Sequence, residues 1–336
     1  MLDAADNHRL PNGASAPSAG DDGPGKTADC RRRPSPAGRG LRIWFRAVRA
    51  FSFTASVMPA VLAAALAVSS PWPVAWGLFP LAVLGALLFH AGTNLVSDAA
   101  DYQRGIDRPG KRGGSGVLIE GLLTPEAVRR AGILLFAAGS LIGLVLVCLR
   151  GQPVLWLGLA GLAGGAFYGG RRFGYKYVAL GDVMVFLLMG TGIVVGTYYV
   201  LTGQLDAVAV YGSLPVACLV TAILHGNNIR DIEQDIPVGA RTLANVIGPV
   251  PAAGVYFFLV YGSYLAVVAL MAARIVSPLA LIVFLTLPLA VLCTRKVALA
   301  VRKADMPLDT IDIETARLHL LFTAFLSGAI SVSGSA

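Results

Sequence analysis

Apolar runs long enough to cross a lipid bilayer recur nine times along this chain, and that repetition restricts the fold more than any other feature. A bilayer core of roughly 30 Å takes about 20 helical residues at 1.5 Å each. The candidate spans are roughly 51–69, 76–97, 131–149, 153–169, 178–200, 207–226, 247–273, 277–294 and 316–334. The fourth and eighth are short, and Ser and Gly dilute the last. Composition agrees: 56% of residues are hydrophobic and 14% charged, against about 25% charged in a soluble domain. The expected fold class is an all-α membrane protein, with nine transmembrane helices in a single bundle.

Lys and Arg orient the bundle. Of the 27, 25 fall before span one or after spans two, four, six and eight, and only Arg150 and Arg274 fall on the other side. Basic loops mark the cytoplasmic face. The expectation is an integral protein of the cell (inner or cytoplasmic) membrane, N-terminus inside and C-terminus outside. The net charge of +8 then meets anionic lipid and calls for no nucleic-acid partner. Residues 1–40 are rich in Pro, Gly, Ala, Ser and charge, and they lack the apolar core of a signal peptide. They are expected to form a disordered cytoplasmic tail, with the membrane domain at 41–336. Four scattered cysteines suggest neither a zinc site nor a disulfide framework.

Two acidic clusters sit at the same membrane face. In NLVSDAADYQRGIDRPGKRGGSG, Asn94, Asp98 and Asp101 share one helix face. In NNIRDIEQDIPVGARTLA, the stripe is Asn227, Asp231 and Asp235, with Glu233 turned away. Carboxylates near hydrocarbon are costly and call for a cationic partner. Neighbouring arginines could supply it in ordinary loop ion pairs. Two matched stripes favour Mg²⁺, a hard cation that binds carboxylates together with a substrate phosphate. Two such ions could hold one diphosphate between the clusters. The loop YGGRRFGYKY adds Arg171, Arg172 and Lys176 with Tyr168, Tyr175 and Tyr177. The GGSG at 113–116 is either an anion-approaching turn or a flexible one. His90 and His225 lack metal-ligand spacing and are expected to be hydrogen-bonded helix histidines.

At these clusters the chain resembles the UbiA superfamily of intramembrane prenyltransferases, over roughly residues 42–334. SDAADYQRGID, YGGRRFGYKYVALGD and NNIRDIEQDIPVGARTLA carry the resemblance, and within the family they are most like the 1,4-dihydroxy-2-naphthoate polyprenyltransferases of the menaquinone branch. The family's first motif is commonly NDxxDxxxD. Here Ser97 takes the Asn position, Asp98 and Asp101 match, Gly105 replaces the last Asp, and Asp107 fits the G-x-D ending of the branch. Asp231 and Asp235 match the second motif. The resemblance implies Mg²⁺-dependent transfer of a polyprenyl group from a polyprenyl diphosphate to an aromatic acceptor. Asp98, Asp101, Asp231 and Asp235 are the expected catalytic, metal-holding residues, joined by Asn94. Asn94, Asn227, Asn228, Arg104, Arg112, Tyr168, Arg171, Arg172, Lys176 and Arg230 are the expected substrate-binding residues. Other acceptors within the family (4-hydroxybenzoate, a haem, a chlorophyll precursor, a glycerol lipid) remain alternatives. Outside it, a cation transporter would use intramembrane acids, and a noncatalytic scaffold would not use them at all.

Overall fold

A computed structural model describes residues 36–107, 114–169, 174–302 and 308–334. Among them there is no β-strand, only helices, turns and one isolated bridge. In hydrocarbon every backbone polar group needs a partner within its own segment, which helices provide. The elements are α1 (Pro36–Ala47), α2 (Thr54–Val68), α3 (Phe79–Gln103), α4 (Pro125–Arg150), α5 (Gln152–Tyr168), α6 (Gly181–Thr202), α7 (Ala207–Arg230), α8 (Pro249–Ala272), α9 (Pro278–Arg302) and α10 (Ile311–Gly334). A 3-10 turn, Ala50–Phe53, leads into α2.

The nine expected spans correspond to α2 through α10. Eight of these segments, α2 being counted together with its leading 3-10 turn as Ala50–Val68, are long and apolar enough to cross a membrane; α5, at 17 residues, is the short fourth span. The helices outrun their apolar runs on one face. α3 continues to Gln103, α4 begins at Pro125, α7 ends at Arg230, α9 reaches Arg302 and α10 starts at Ile311. Hydropathy marks where lipid lies, whereas i→i−4 hydrogen bonding continues into water. The acidic clusters therefore stand on helix ends rather than in loose loops. At the other terminus, α1 takes in residues 36–40, which were expected to belong to the tail. The rest of that tail, residues 1–35, lies outside the described residues.

Local signals set the helix starts. The Thr124 hydroxyl accepts from Ala127 N–H at 3.2 Å ahead of α4, and Asp206 accepts from Val208 N–H at 2.9 Å ahead of α7. On the opposite membrane face, Arg150 donates to the Val200 and Leu201 carbonyls at 2.7 and 3.1 Å. One of the two basic residues on that side thus caps the end of α6. Small residues permit close helix packing, as is usual in membranes. A Cβ on Gly190 would lie 2.4 Å from the Ala217 Cβ, at the π-helical turn of α6 against α7. A Cβ on Gly92 of α3 would lie 3.1 Å from the Gly132 carbonyl of α4. The largest apolar core lies among α2, α6, α7, α8, α9 and α10 and includes Leu62, Tyr198, Leu219, Tyr256 and Phe322. Leu134, Phe258 and Leu265 are exposed on outer faces, as lipid-facing positions should be.

Candidate active site

The last three turns of α3 carry Asn94, Ser97, Asp98 and Asp101. Asp98 is buried, forms an ion pair with Arg49, and accepts from the Ser115 N–H at 3.2 Å. One amide of the GGSG turn is therefore offered to a carboxylate of the protein itself. Asp101 is also buried and takes Lys176 Nζ at 2.5 Å and the Tyr177 phenol as donors. Lys176 Nζ further donates to Ser97 Oγ at 2.6 Å. Gly105, at φ 68°, lets the chain turn back, and the Ile106 and Asp107 amides donate to the Asp101 carbonyl at 2.9 and 3.3 Å. This turn returns Asp107 to the cluster, so that one carboxylate oxygen each from Asp98, Asp101 and Asp107 lie within 4.8 Å of one another. The G-x-D ending thus does geometrically what a further helical Asp would do.

Electrostatics hold this cluster in its present form. Burial works against the Arg49 charge, but Asp98, Asp107 and Asp101 outweigh it and raise the guanidinium pKa above its usual value. Burial, followed by the Asp101 carboxylate, pushes the Tyr177 phenol up, so Tyr177 remains a donor. Arg104 was expected to bind substrate. Its guanidinium stacks on the ring of Tyr177, a cavity-lining residue, 4.2 Å from the centroid, and Arg104 does not itself line the cavity.

The second cluster spans the end of α7. The helix proper stops at Arg230, and a short turn of helix, Ile232–Asp235, follows. The stripe survives the break because Asp231 N–H donates to the Asn227 carbonyl at 3.1 Å and Asp235 N–H to the Asp231 carbonyl at 2.9 Å. Asp231 and Asp235 are buried while Glu233 is exposed. Arg230, expected to bind substrate, points into the protein. It bonds Asp231 at 2.8 Å and Asp312 of α10 at 3.1 Å, and it also donates to Asn227. It is a brace between α7 and α10 and does not line the cavity. Behind the stripe, Asn228 donates to Asp182 Oδ1 at 3.2 Å, and His225 Nδ1 meets Asp182 Oδ2 at 2.7 Å. His225 Nε2 lies 2.9 Å from the Ala252 carbonyl of α8.

Both clusters open onto one cavity of about 290 Å³. Asp101 and Asp107 line it from one side, and Asn227, Asn228, Asp231 and Asp235 from the other, with Asn94, Tyr168 and Lys176 between them. Asp98 stands behind this lining, against Arg49, which does line it. The wall runs on into apolar surface from Phe89, Gly161, Gly164, Leu188 and Ile193. Asn94 donates to the Val48 carbonyl at 2.9 Å, which fixes its amide plane. The loops meet where Val178 bridges Arg241. Ala179, at φ 60°, donates to the Arg241 carbonyl at 2.7 Å. Arg112, Arg171 and Arg172 lie outside the described residues. Arg49, Tyr177, Asp182 and Asp312 were not expected at the site. Arg49 entered only in the count of basic residues before the first span, and Tyr177 only as part of the YGGRRFGYKY loop. His90 and His225 are both hydrogen-bonded, as expected.

An all-helical membrane bundle that places two acidic helix ends on one basic, apolar-walled cavity defines an intramembrane transferase. The chain belongs to the UbiA prenyltransferase family, which it matches over residues 56–308. It is 33% identical over 282 residues to UbiA prenyltransferase domain-containing protein 1 of Xenopus tropicalis, covering 83% of this chain and 79% of that protein. The human protein of the same name is 33% identical over 282 residues, covering 83% and 80%. These relatives belong to a group other than the naphthoate branch that the motifs resemble. In fold, the chain is similar to the apo structure of a UbiA homologue from Aeropyrum pernix K1, with TM-score 0.64, 18% identity, and 85% and 98% of the two chains covered. It is also similar to a UbiA homologue from Archaeoglobus fulgidus bound to GPP and Mg²⁺, with TM-score 0.59, 14% identity, and 86% and 99% covered. Family membership sets aside the transporter and scaffold readings.

Proposed function

We propose that this prenyltransferase moves a polyprenyl group from a polyprenyl diphosphate to an aromatic acceptor, 1,4-dihydroxy-2-naphthoate, in menaquinone biosynthesis, with Mg²⁺ as cofactor and its active site facing the cytoplasm. The observation that carries the reading is the shared cavity, into which two helices from distant parts of the chain bring carboxylates beside Lys176 and Arg49. A prenyl diphosphate is an anionic head on an apolar tail, and this cavity is charged at one end and apolar along its wall.

The donor set fits magnesium. Asp98, Asp101 and Asp107 provide clustered hard oxygens, and Asp231 and Asp235 provide the facing pair. Bound Mg²⁺ would neutralise the diphosphate leaving group as the C1–O bond weakens. The chain's own groups do the rest. Among the described residues, Lys176 and Arg49, now held by Asp101 and Asp98, are the Lys and Arg side chains that line the cavity, and they can donate to the oxygens of a diphosphate. Phe89, Leu188 and Ile193 give the tail a dry wall, which keeps water from an allylic cation. Tyr168 and Tyr175, packed edge to face at 5.5 Å, line the same cavity and offer aromatic surface near the charge.

The naphthoate assignment rests on the resemblance of RGID, GARTLA and the Tyr168–Asp182 spacing to the menaquinone branch. The relatives' name gives a domain and no acceptor. The other family acceptors therefore form the second arm of the test. Purified protein is incubated with polyprenyl diphosphates and a panel of naphthoate, 4-hydroxybenzoate and glycerol-lipid acceptors, and products are identified by mass spectrometry. Prenylated naphthoate with the highest kcat/KM supports the reading. Preference for another acceptor keeps the transferase and rejects the assignment.

A further inference from the structure

One wall of the cavity contains a polar relay that the diphosphate chemistry does not use. Ser52, Ser56 and His90 all line the cavity. Ser56 is 2% exposed, and its Oγ lies 2.8 Å from His90 Nδ1. His90 Nε2 lies 3.2 Å from Ser52 Oγ, and Ser52 Oγ lies 2.8 Å from the Arg49 carbonyl. Asn94 Nδ2 also approaches Ser52 Oγ, at 3.4 Å.

For a neutral imidazole, only one placement of hydrogens satisfies all of these contacts. A carbonyl oxygen can only accept, so the single Ser52 hydrogen goes to the Arg49 carbonyl. Ser52 Oγ must then accept from His90 and from Asn94. His90 therefore carries its hydrogen on Nε2, which leaves Nδ1 with a lone pair. That lone pair takes the Ser56 hydrogen. Ser56 is thus locked as a donor into the wall and presents only oxygen lone pairs to the cavity. The Phe53 ring packs edge-on against His90 at 5.5 Å and closes the back of the relay.

The relay also lies at the right depth. His90 precedes Asn94 by four residues and Asp98 by eight on α3, so it sits roughly 6 Å and 12 Å further along the helix axis, away from the acidic end. A diphosphate held at the acidic end would direct its first carbons towards this wall.

From this geometry we infer that Ser56, oriented by His90, reads a free hydroxyl on the acceptor ring by accepting its hydrogen bond. The inference rests on the prenyl-transfer reading and narrows its acceptor to hydroxylated aromatics with an unsubstituted O–H. A hydrogen bond from that O–H also raises electron density in the ring, at the moment when a carbon of the ring must attack the donor. Ser56 is the contacting residue and His90 a positioning residue.

The test compares 1,4-dihydroxy-2-naphthoate with its two mono-O-methyl ethers, using one polyprenyl diphosphate. In the unaltered protein, methylating the hydroxyl that meets Ser56 should lower kcat/KM about ten-fold or more, because a buried acceptor loses its donor. In Ser56→Ala that penalty should fall to about two-fold, with the donor KM unchanged. In His90→Leu the Ser56 hydrogen is released and can serve an ether oxygen, so the methyl ether should become the better-tolerated substrate. Transfer to unmethylated 1,4-dihydroxy-2-naphthoate should stay measurable in both variants, and it separates the two readings. If the unaltered protein transfers no polyprenyl group to any acceptor, the prenyl-transfer reading fails. If it turns over and both variants keep the full methyl-ether penalty, or lose donor and acceptor alike, the Ser56 inference fails. Because the two variants predict different changes, the loss of one to misfolding leaves the other decisive.

Discussion

Lys176 Nζ lies 2.5 Å from Asp101 Oδ2, although 75 residues separate them in the chain. The pair joins the loop after α5 to the end of α3 and places a cation within a cluster of carboxylates. In Lys176→Met this charge is lost while much of the stem volume stays. The expected outcome is a donor KM raised about ten- to hundred-fold, since a charge-assisted bond is worth about 1.5–3 kcal/mol. The acceptor KM should change little. An equal rise in both would show that Lys176 organises the whole loop rather than the diphosphate.

Asp98, Asp101, Asp231 and Asp235 should each be indispensable. Alanine at any of them should lower kcat by about 100-fold or more, on the scale of losing one strong transition-state contact. Asparagine should fail as well, because it is a weaker ligand for a hard cation. Glu233→Ala, at an exposed position, should remain near the unaltered rate. Size-exclusion profiles in detergent check that the variants are folded. Near-normal turnover in Asp101→Ala and Asp231→Ala would remove the shared-cavity mechanism.

Metal removal gives an independent check on the same carboxylates. Exhaustive chelation should stop turnover, and returning Mg²⁺ should restore it. Residual metal is measured alongside the rate, since full activity in a metal-free sample would mean that Lys176 and Arg49 suffice to stabilise the leaving diphosphate.

The Asp182–His225 pair should matter to stability before catalysis. Its contacts tie α6, α7 and α8 together through Asp182, His225 and the Ala252 carbonyl. Removing Asp182 leaves the buried His225 ring nitrogen without its partner, at a cost of about 1–3 kcal/mol. Asp182→Ala should therefore lower the Tm of the detergent-solubilised protein, whereas Glu233→Ala should not. An unchanged Tm would show that water replaces the lost carboxylate.

Orientation is testable without activity. Cysteines introduced as Gln103→Cys and Val238→Cys should react with a membrane-impermeant reagent from the same, cytoplasmic side. Labelling from opposite sides would separate the two acidic helix ends and exclude a common site.

Much of this architecture was legible in the residues. Nine apolar runs mark α2 through α10, because lipid rewards apolar surface along the whole length of a helix. The three- and four-residue spacing within the acidic stripes was also readable, since it depends only on local helix geometry. Helix ends were less legible. Charged residues such as Arg295 and Glu314 are helical but carry no hydropathy signal.

Tertiary structure alone decided the partners. Asp98 meets Arg49, Asp101 meets Lys176 and Tyr177, Arg230 meets Asp312, and His90 lies between Ser52 and Ser56. Hydropathy records how each segment relates to lipid, and helical periodicity records how each residue relates to its own turn. Neither contains the rotation of one helix against another. That rotation follows from how side chains and close glycine contacts pack between helices distant in sequence, and it determines which charges face the cavity and which, like Arg230, turn inward as braces.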